Sequence, residues 1–145
     1  MSTVTKRKTA NLDNVPSPYY RVAVKALIFD TEKRLLVVLN ADSNWELPGG
    51  GWEHHESLEE CIRREVVEEL GAIVATVGPV KLVLQGNNMP ARPAIRILLP
   101  VTLEPGQLTP GDEMLEARYV TSEEFRSLSF EPNDSIVQSY QDQIW

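Results

Sequence analysis

The chain has 145 residues, of which 42% are hydrophobic and 24% are charged, and its formal net charge is −7. This size and composition are typical of one globular domain with a sizeable core. The acidic balance argues against a general binder of nucleic-acid polymers or anionic membranes, because such proteins are usually basic. The single cysteine, Cys61, excludes an internal disulfide. We also find no leader-like segment and no long apolar run. Together with the single cysteine, these features favour a cytoplasmic protein without a membrane span.

The first 18 residues are polar and end in two prolines, so we expect a flexible N-terminal arm ahead of one domain over residues 19–145. Residues 19–30 are rich in β-branched and aromatic side chains and predict a strand. A polar turn at residues 31–33 and an apolar run at residues 34–39 predict its partner in a hairpin.

A short strand at Trp45 leads to Pro48 and three glycines, which predict a tight turn. A helix of about four turns is predicted next. Ser57 and Glu60 have the spacing of a capping box at its start, and Gly71 suits the left-handed position just beyond its end.

This helix has carboxylates on its apolar side. At about 100° per residue, its apolar arc consists of Leu58, Cys61, Ile62, Val66 and Leu70. Glu65 and Glu69 fall inside that arc, and Glu68 lies at its edge. Burying unpaired carboxylates costs several kcal/mol, and Mg²⁺ or Mn²⁺ bound by these i, i+3, i+4 oxygens would offset that cost. The alternative is a solvated acidic face with salt bridges to Arg63 and Arg64.

Residues 50–72, GGWEHHESLEECIRREVVEELGA, resemble the signature of the Nudix hydrolases, G-x5-E-x7-R-E-U-x-E-E-x-G-U, in which U is apolar. The matching positions are Gly50, Glu56, Arg64, Glu65, Val66, Glu68, Glu69, Gly71 and Ala72. Alanine is a small residue for the last position. The order of predicted elements indicates an α/β protein. The resemblance sharpens this to an α/β/α sandwich with a mixed β-sheet between helices, and implies a Mg²⁺-dependent enzyme that hydrolyses diphosphate bonds.

The resemblance also implies roles for individual residues. The backbone carbonyl near Gly50 would bind the metal, for which Mn²⁺ is a possible substitute for Mg²⁺. The carboxylate ligands would be Glu65, Glu68 and Glu69, and Arg64 would orient Glu65.

The catalytic base stays open between Glu65, Glu69 and Glu113. Members of the family often supply one more acid from a loop near the C-terminus, and Glu113 is preferred there over Glu116. Glu116 is close to a predicted strand and has the alternative of facing solvent.

Two further groups lie at the start of the helix. Glu56 would brace Arg64 by resemblance, although the same pair could be a surface ion pair contributing less than ~1 kcal/mol. His54 and His55 are adjacent and lack a further ligand at zinc spacing, so no zinc site is expected.

The remaining chain alternates strand and helix patterns. The predicted elements are strands at residues 80–85 and 94–103, with a bulge or sheet edge at Pro100, a strand at residues 117–120, a short helix capped by Thr121 or Ser122, and a last helix capped by Asn133 or Asp134.

The candidate substrate-binding residues each have an alternative structural role. Arg92 and Arg96 could meet substrate phosphates or be solvated, and the substrate-stacking candidates Trp45, Tyr20 and Met89 could equally be packing residues.

The substrate class rests on family patterns. Members acting on ADP-ribose tend to have a proline about sixteen residues beyond the signature, where this chain has Asn88, and members acting on dinucleoside polyphosphates tend to have a tyrosine there. Both absences favour a nucleoside triphosphate or a sugar nucleotide as the small-molecule substrate. The alternative is an inactive nucleotide-binding sensor, but such proteins usually lose signature carboxylates that this chain keeps. A homodimer, common in the family, is also possible.

Overall fold

In a computed structural model, residues 19–86 and 93–145 of the protein are described. In chain order, the elements within these residues are β1 (Arg21–Leu27), β2 (Leu35–Asn40), β3 (Trp45–Glu46), β4 (Gly49–Gly51), α1 (Leu58–Leu70), β5 (Val74–Val77), β6 (Leu82–Gly86), β7 (Ala94–Leu103), β8 (Met114–Val120), α2 (Ser122–Ser127), α3 (Ile136–Ser139) and α4 (Gln141–Ile144). None of the helices in these ranges is long and apolar enough to cross a membrane. The predicted N-terminal arm and Arg92 lie outside the described residues.

The strands form two sheets. The larger, mixed sheet has the order β4-β1-β7-β5, with β6 also paired to β7, and the smaller has the order β3-β2-β8. β1 and β7 are parallel from Arg21 opposite Ala94 to Leu27 opposite Pro100, and the other pairs are antiparallel. A parallel pair needs a crossover connection, and α1 lies in that crossover.

Helices cover both sides of the sheets. The α1 core contains Val24, Leu36 and Leu99 from the strands and four residues of α1, namely Cys61, Ile62, Val66 and Leu70. The C-terminal core contains Leu27, Leu35 and Leu98 together with Phe125, Val137 and Ile144 from α2, α3 and α4. Neighbouring strand residues point to opposite sides, so one strand serves both cores. The predicted α/β/α arrangement is confirmed.

The predicted hairpin of β1 and β2 is wrong, although the turn between them is present. Phe29 and Leu35 form only an isolated bridge, and the backbone N–H of Leu36 donates to the carbonyl of Ile28. β1 then pairs with β7, whereas β2 pairs with β8. The chain therefore passes from one sheet to the other at the turn.

The glycine run is a strand rather than the predicted turn. Gly49, Gly50 and Gly51 pair with Lys25, Val24 and Ala23 of β1. Gly49 has φ 132°, and a Cβ there would lie 2.0 Å from the carbonyl oxygen of Val24. The close approach of the two backbones requires glycine.

Pro100 does not mark a sheet edge, because β7 is the centre of the larger sheet. The irregularity lies opposite, in β5, where the register shifts between Val74 and Thr76. The carbonyl of Pro100 accepts a hydrogen bond from the backbone N–H of Gly78. On one side of β7, the neighbouring strand changes from β6 to β5 near Pro100. Proline is tolerated at this change of partner.

The C-terminal helix is divided into α3 and α4 at Tyr140, which has φ −108° and ψ 20°. Ser135 precedes α3 and makes no side-chain cap bond. Asp134, predicted as a possible cap, is instead fully buried and ion-paired.

Candidate active site

The ends of α1 are as the sequence predicts. The Ser57 hydroxyl accepts a hydrogen bond from the backbone N–H of Glu60, and the Glu60 carboxylate accepts one from the N–H of Ser57. Gly71 follows the helix in the left-handed conformation, with φ 60°. These caps fix the first and last turns, and with them the direction in which each acidic side chain points.

The three acids in the second half of α1 differ in exposure. Glu65 and Glu69 are only 6% and 2% exposed, whereas the side chain of Glu68 is 58% exposed. The difference follows from the helical period, because Glu65 and Glu69 lie four residues apart within the apolar arc. Two buried carboxylates therefore face β4, and a third lies beside them at the surface.

Glu69 is held by the backbone of β4. The N–H of Gly49 donates a hydrogen bond of 3.1 Å to Oε2 of Glu69. The carbonyl of Gly49 accepts a hydrogen bond of 3.3 Å from the ammonium group of Lys25. A buried lysine and a buried carboxylate thus contact the same peptide segment.

Glu65 lies directly against Gly50. A Cβ on Gly50 would lie 2.4 Å from Oε1 of Glu65, so no side chain fits there without moving the carboxylate. The glycine therefore leaves a space that the carboxylate of Glu65 fills.

Arg64 connects the loop before α1 to Glu65. Its Nε and Nη2 donate to the two carboxylate oxygens of Glu56 at 3.1 and 2.8 Å, and its Nη1 donates to Glu65 at 2.9 Å. Nη2 also donates to the carbonyl of Gly51. The hydrogen bonds from Arg64 lower the pKa of Glu56 to about 2, and the carboxylates raise the pKa of Arg64. Such a two-pronged contact fixes both side chains.

A loop closes over the C-terminal end of α1. The backbone N–H groups of Thr109 and Gly111 donate to the carbonyls of Leu70 and Glu69 at 2.7 and 2.9 Å. A Cβ on Gly111 would lie 1.8 Å from the carbonyl oxygen of Glu68, so only glycine allows this approach. The loop satisfies helix carbonyls that otherwise lack partners.

Glu113 follows Gly111 by two residues and is partly buried, and the backbone N–H of Gly111 donates to the carbonyl of Glu69 on α1. Glu116 lies on β8 opposite Leu39 and is exposed, with its carboxylate 3.9 Å from Arg118. Glu116 therefore occupies the solvent-facing position that the sequence offered as the alternative to a role in catalysis. The choice of base stays a prediction.

Within the described ranges, no three His, Cys, Asp or Glu side chains form a group that could hold a metal ion in their present arrangement. The donors nevertheless fit Mg²⁺ or Mn²⁺ by their chemistry. Glu65 and Glu69 are buried carboxylates, Glu68 lies on the same stretch of helix, and the Gly50 backbone leaves room for the Glu65 carboxylate. Hard oxygen donors of this kind suit small divalent cations.

The predicted substrate-binding residues Arg96 and Trp45 are paired with other side chains of the protein. Arg96 is on β7, with its side chain 12% exposed and its Nε 2.6 Å from Asp134. Trp45 is partly buried in the C-terminal core, with the guanidinium of Arg118 4.6 Å from its ring centre. Each has a partner within the protein, so a role in substrate binding stays a prediction.

A buried ionic cluster was not predicted. The ammonium group of Lys25 lies 3.4 Å from Glu46 and 3.5 Å from Asp134, and it donates to the carbonyl of Leu47 at 3.2 Å. Burial alone would lower the pKa of Lys25, but the neighbouring carboxylates outweigh it and raise that pKa. A lysine inside the apolar run of β1 was the available signal in the sequence.

The chain is similar in sequence to known proteins. The family model described as NUDIX domain matches residues 19–140. A MutT-like protein of Streptomyces ambofaciens is 42% identical over 55 residues, which are 37% of this chain and only 36% of that relative. An ADP-ribose pyrophosphatase of Methanocaldococcus jannaschii is 26% identical over 123 residues, which are 82% of this chain and 72% of that protein.

Solved structures show the same fold. The MutT protein of Methanosarcina mazei Go1 matches with a TM-score of 0.75 at 21% identity, over 89% of this chain and 95% of that chain. The family model covers nearly all the described residues, including α1 and the strands that pack on it. The chain therefore belongs to the NUDIX domain family, as its signature predicts.

Proposed function

We propose that the protein is a Mg²⁺-dependent pyrophosphohydrolase that cleaves a diphosphate bond in a nucleoside diphosphate linked to another group. The observation that supports this most is the burial of Glu65 and Glu69 against Gly50 and Gly49 of β4. Burying two carboxylates in an apolar helix arc has a desolvation cost even when they are hydrogen-bonded, and a bound cation would offset part of it. Relatives named pyrophosphatase support the same reaction class.

Separate residues would bind the cation and accept the proton. Glu65, Glu68, Glu69 and the backbone carbonyl of Gly50 would hold the cation. When bound, it would neutralise charge on the phosphate oxygens and favour ionisation of the attacking water. A carboxylate accepts the proton from that water, with Glu65, Glu69 and Glu113 as the candidates.

Arg64 acts through Glu65 in this proposal. Its Nη1 contacts Glu65 and its other nitrogens contact Glu56, so the guanidinium is already committed to carboxylates. It keeps the Glu65 carboxylate in one orientation and does not contact substrate.

For the substrate we favour a nucleoside triphosphate or a sugar nucleotide, with Arg92, Arg96 and Trp45 as candidate contacts. The relative from Methanocaldococcus jannaschii is named for ADP-ribose, which is also a nucleoside diphosphate joined to a sugar. ADP-ribose therefore belongs among the substrates tested.

The second candidate function is a sensor that binds nucleotide without cleaving it. The exposed position of Glu68 and the pairing of Glu65 with Arg64 are compatible with it. The retention of all the signature carboxylates favours the enzyme.

The test measures phosphate or nucleotide release from nucleoside triphosphates, sugar nucleotides and ADP-ribose, with Mg²⁺ or Mn²⁺ and then with EDTA. Glu68→Gln and Glu69→Gln are compared with Glu59→Gln. Glu59 is a matched control because its side chain on α1 is 55% exposed, against 58% for Glu68, and pairs with Arg63 away from β4.

We expect metal-dependent cleavage of one substrate class that Glu69→Gln and Glu68→Gln abolish and Glu59→Gln leaves unchanged. Folded protein that binds nucleotide in the presence of metal and cleaves none of these substrates would replace the enzyme with the sensor. Cleavage of ADP-ribose alone among the sugar-linked nucleotides would correct the substrate class.

A further inference from the structure

A groove lies next to the acidic residues, between the start of β1 and the loop from β4 to α1. It encloses about 500 Å³. Small-molecule sites in proteins usually enclose about 300–1,000 Å³. Among its lining residues are Tyr20, Arg21, Trp52, His54, His55 and Glu56. Of these residues, Glu56 was given a role as the brace for Arg64 and Tyr20 was a stacking candidate, whereas Arg21 and Trp52 had no role.

Two aromatic rings line this groove while remaining half-exposed. Trp52 is 42% exposed and Tyr20 is 44% exposed. Both are nevertheless held by hydrogen bonds. Nε1 of Trp52 donates to the carbonyl of Glu56 at 2.8 Å, and the Tyr20 hydroxyl accepts from the amide of Gln85 at 3.3 Å. Fixed aromatic surfaces of this kind suit stacking on a flat ring.

Arg21 gives the groove a cationic group for a phosphate beside that ring, and the acidic residue Glu53, which also lines the groove, lies 3.9 Å from Arg64. Arg21 lies close to β4, because a Cβ on Gly51 would be 3.9 Å from its Nη2. The carboxylate of Glu56 is paired with both donor edges of Arg64, which offsets its negative charge. A guanidinium next to an open groove is well suited to bind phosphate.

The groove adjoins the stretch of backbone that contacts the proposed reaction centre. Gly51 lines it, and the carbonyl of Gly51 accepts a hydrogen bond from Arg64. Gly50, the preceding residue, lies against Glu65. From Gly50 to Trp52 the extended chain covers only ~7 Å, at ~3.3 Å per residue. A ligand stacked on Trp52 can therefore place its phosphate near Glu65.

We propose that this groove binds the nucleoside monophosphate half of the substrate, with the nucleobase against Trp52 and Tyr20 and its phosphate near Arg21. The position of the reacting phosphorus rests on the proposed hydrolase function. Binding of the nucleobase in the groove does not, because it needs neither metal nor turnover.

The first experiment measures binding in EDTA by calorimetry or NMR, using the full chain. The probes are the four common ribonucleoside 5′-monophosphates and, as a ring-free control, ribose 5-phosphate. We expect at least one nucleotide to bind at least tenfold more tightly than ribose 5-phosphate. Equal binding of ribose 5-phosphate, or no binding of any nucleotide, would overturn the proposal.

Substitutions of Trp52 and Tyr20 then test whether the nucleobase stacks on these side chains. Trp52→Ala and Tyr20→Ala should each weaken binding of the preferred nucleotide about tenfold, whereas Tyr20→Phe keeps the ring and should bind within about twofold of the parent. Val80→Ala is the control, because Val80 is also 44% exposed and lies outside the groove. Since the Trp52 side chain also ties the loop together, circular dichroism and Tm are compared. If Trp52→Ala is unfolded, Tyr20→Ala decides.

Kinetics separate this proposal from the function on which it rests. With a cleaved nucleotide, Tyr20→Ala should raise KM about tenfold and leave kcat within about twofold. Glu69→Gln should abolish turnover and leave monophosphate binding in EDTA unchanged. Binding in the groove without cleavage of any substrate would contradict only the hydrolase. Cleavage with unchanged KM in both alanine variants would contradict only the groove.

Discussion

Gly49 and Glu69 are joined by a 3.1 Å hydrogen bond from the glycine N–H to the carboxylate. The two residues are 20 positions apart, and one is in the edge strand of the larger sheet while the other is in α1. The carbonyl of the same glycine accepts a hydrogen bond from Lys25. The position of Glu69 therefore depends on Gly49, which lies just before the Nudix signature, and on Lys25 of β1, which lies well outside it.

Replacing Lys25 should disturb both stability and the reaction centre. In Lys25→Met, Asp134 loses a buried cationic partner and the carbonyls of Leu47 and Gly49 lose a donor. Removing one partner of a buried ion pair costs about 3–5 kcal/mol. We expect a fall in Tm of roughly 6–20 °C in a thermal melt, since 1 kcal/mol shifts Tm by about 2–4 °C at this size.

A double-mutant cycle with Asp134→Asn tests the cause. If the pair is responsible, the two substitutions together cost less than the sum of their separate effects. Additive effects, or a Lys25→Met variant as stable as the parent, would contradict this account.

Gly50→Ala should reduce activity strongly. The new Cβ would lie 2.4 Å from Oε1 of Glu65, so the carboxylate must move. A displacement of about 1 Å at a reaction centre can lower the rate roughly 100-fold. We expect a fall of that order in kcat/KM on whichever substrate of the panel the parent protein cleaves.

Gly106→Ala is the matched control, because a Cβ there meets nothing within 4 Å. It should keep the parent kcat/KM and Tm. Parent-like activity in Gly50→Ala would show that the contact with Glu65 is not needed.

The contact between Glu56 and Arg64 should make the stability of the fold depend on pH in the acidic range. Arg64 lowers the pKa of Glu56 to about 2, below its usual 4.5. The stabilisation is therefore complete above about pH 5 and is lost as the pH falls from there towards 2. We expect Glu56→Gln to lower Tm by roughly 3 °C at pH 7, corresponding to about 1 kcal/mol after solvent screening.

The comparison is the difference in Tm between parent and Glu56→Gln, measured from pH 7 to pH 3. It should shrink at the acidic end, because below about pH 4.5 the Glu56 carboxylate takes up a proton in the unfolded chain while it stays ionised in the folded protein. Glu59→Gln, which alters an exposed pair on α1, should show little difference at any pH. A gap for Glu56→Gln that is constant with pH would rule out this linkage.

Cys61 should be unreactive in the folded protein. It is fully buried, and burial, with a smaller contribution from Glu56, raises its pKa to about 12. Roughly one thiol in 10⁴ is ionised at pH 8, and the thiolate is the reactive form. A chromogenic disulfide reagent should modify one thiol per chain in denaturant and almost none in native buffer. Rapid modification of native protein would show that α1 opens from the sheet.

Local sequence patterns were sufficient to predict α1. Ser57, Glu60 and Gly71 define its ends through contacts within a few residues, and the apolar arc fixes the side that packs on the sheets. For the same reason the cap of α2 could be narrowed to Thr121 or Ser122, and the structure shows Thr121 in a capping box with Glu124. The burial of Glu65 and Glu69 follows from the same helical period.

Strand pairing could not be predicted from such local patterns. The turn after β1 suggested a hairpin, yet β1 pairs with β7, about 70 residues later in the chain. The glycines after Pro48 suggested a turn, yet they form an edge strand against β1. Every residue type except proline offers both a backbone donor and a backbone acceptor, so the local sequence pattern did not choose the partner strand.

The sequence by itself determined the acidic helix α1, its caps, its buried acids and the family, because these depend on spacing along one helix. Only the tertiary structure decided which groups meet those acids. Lys25 reaches Gly49, and the groove forms beside Trp52, because β1 and β4 are paired. Their contacts join residues that are distant in sequence, and that pairing is chosen by the packing of the whole sheet.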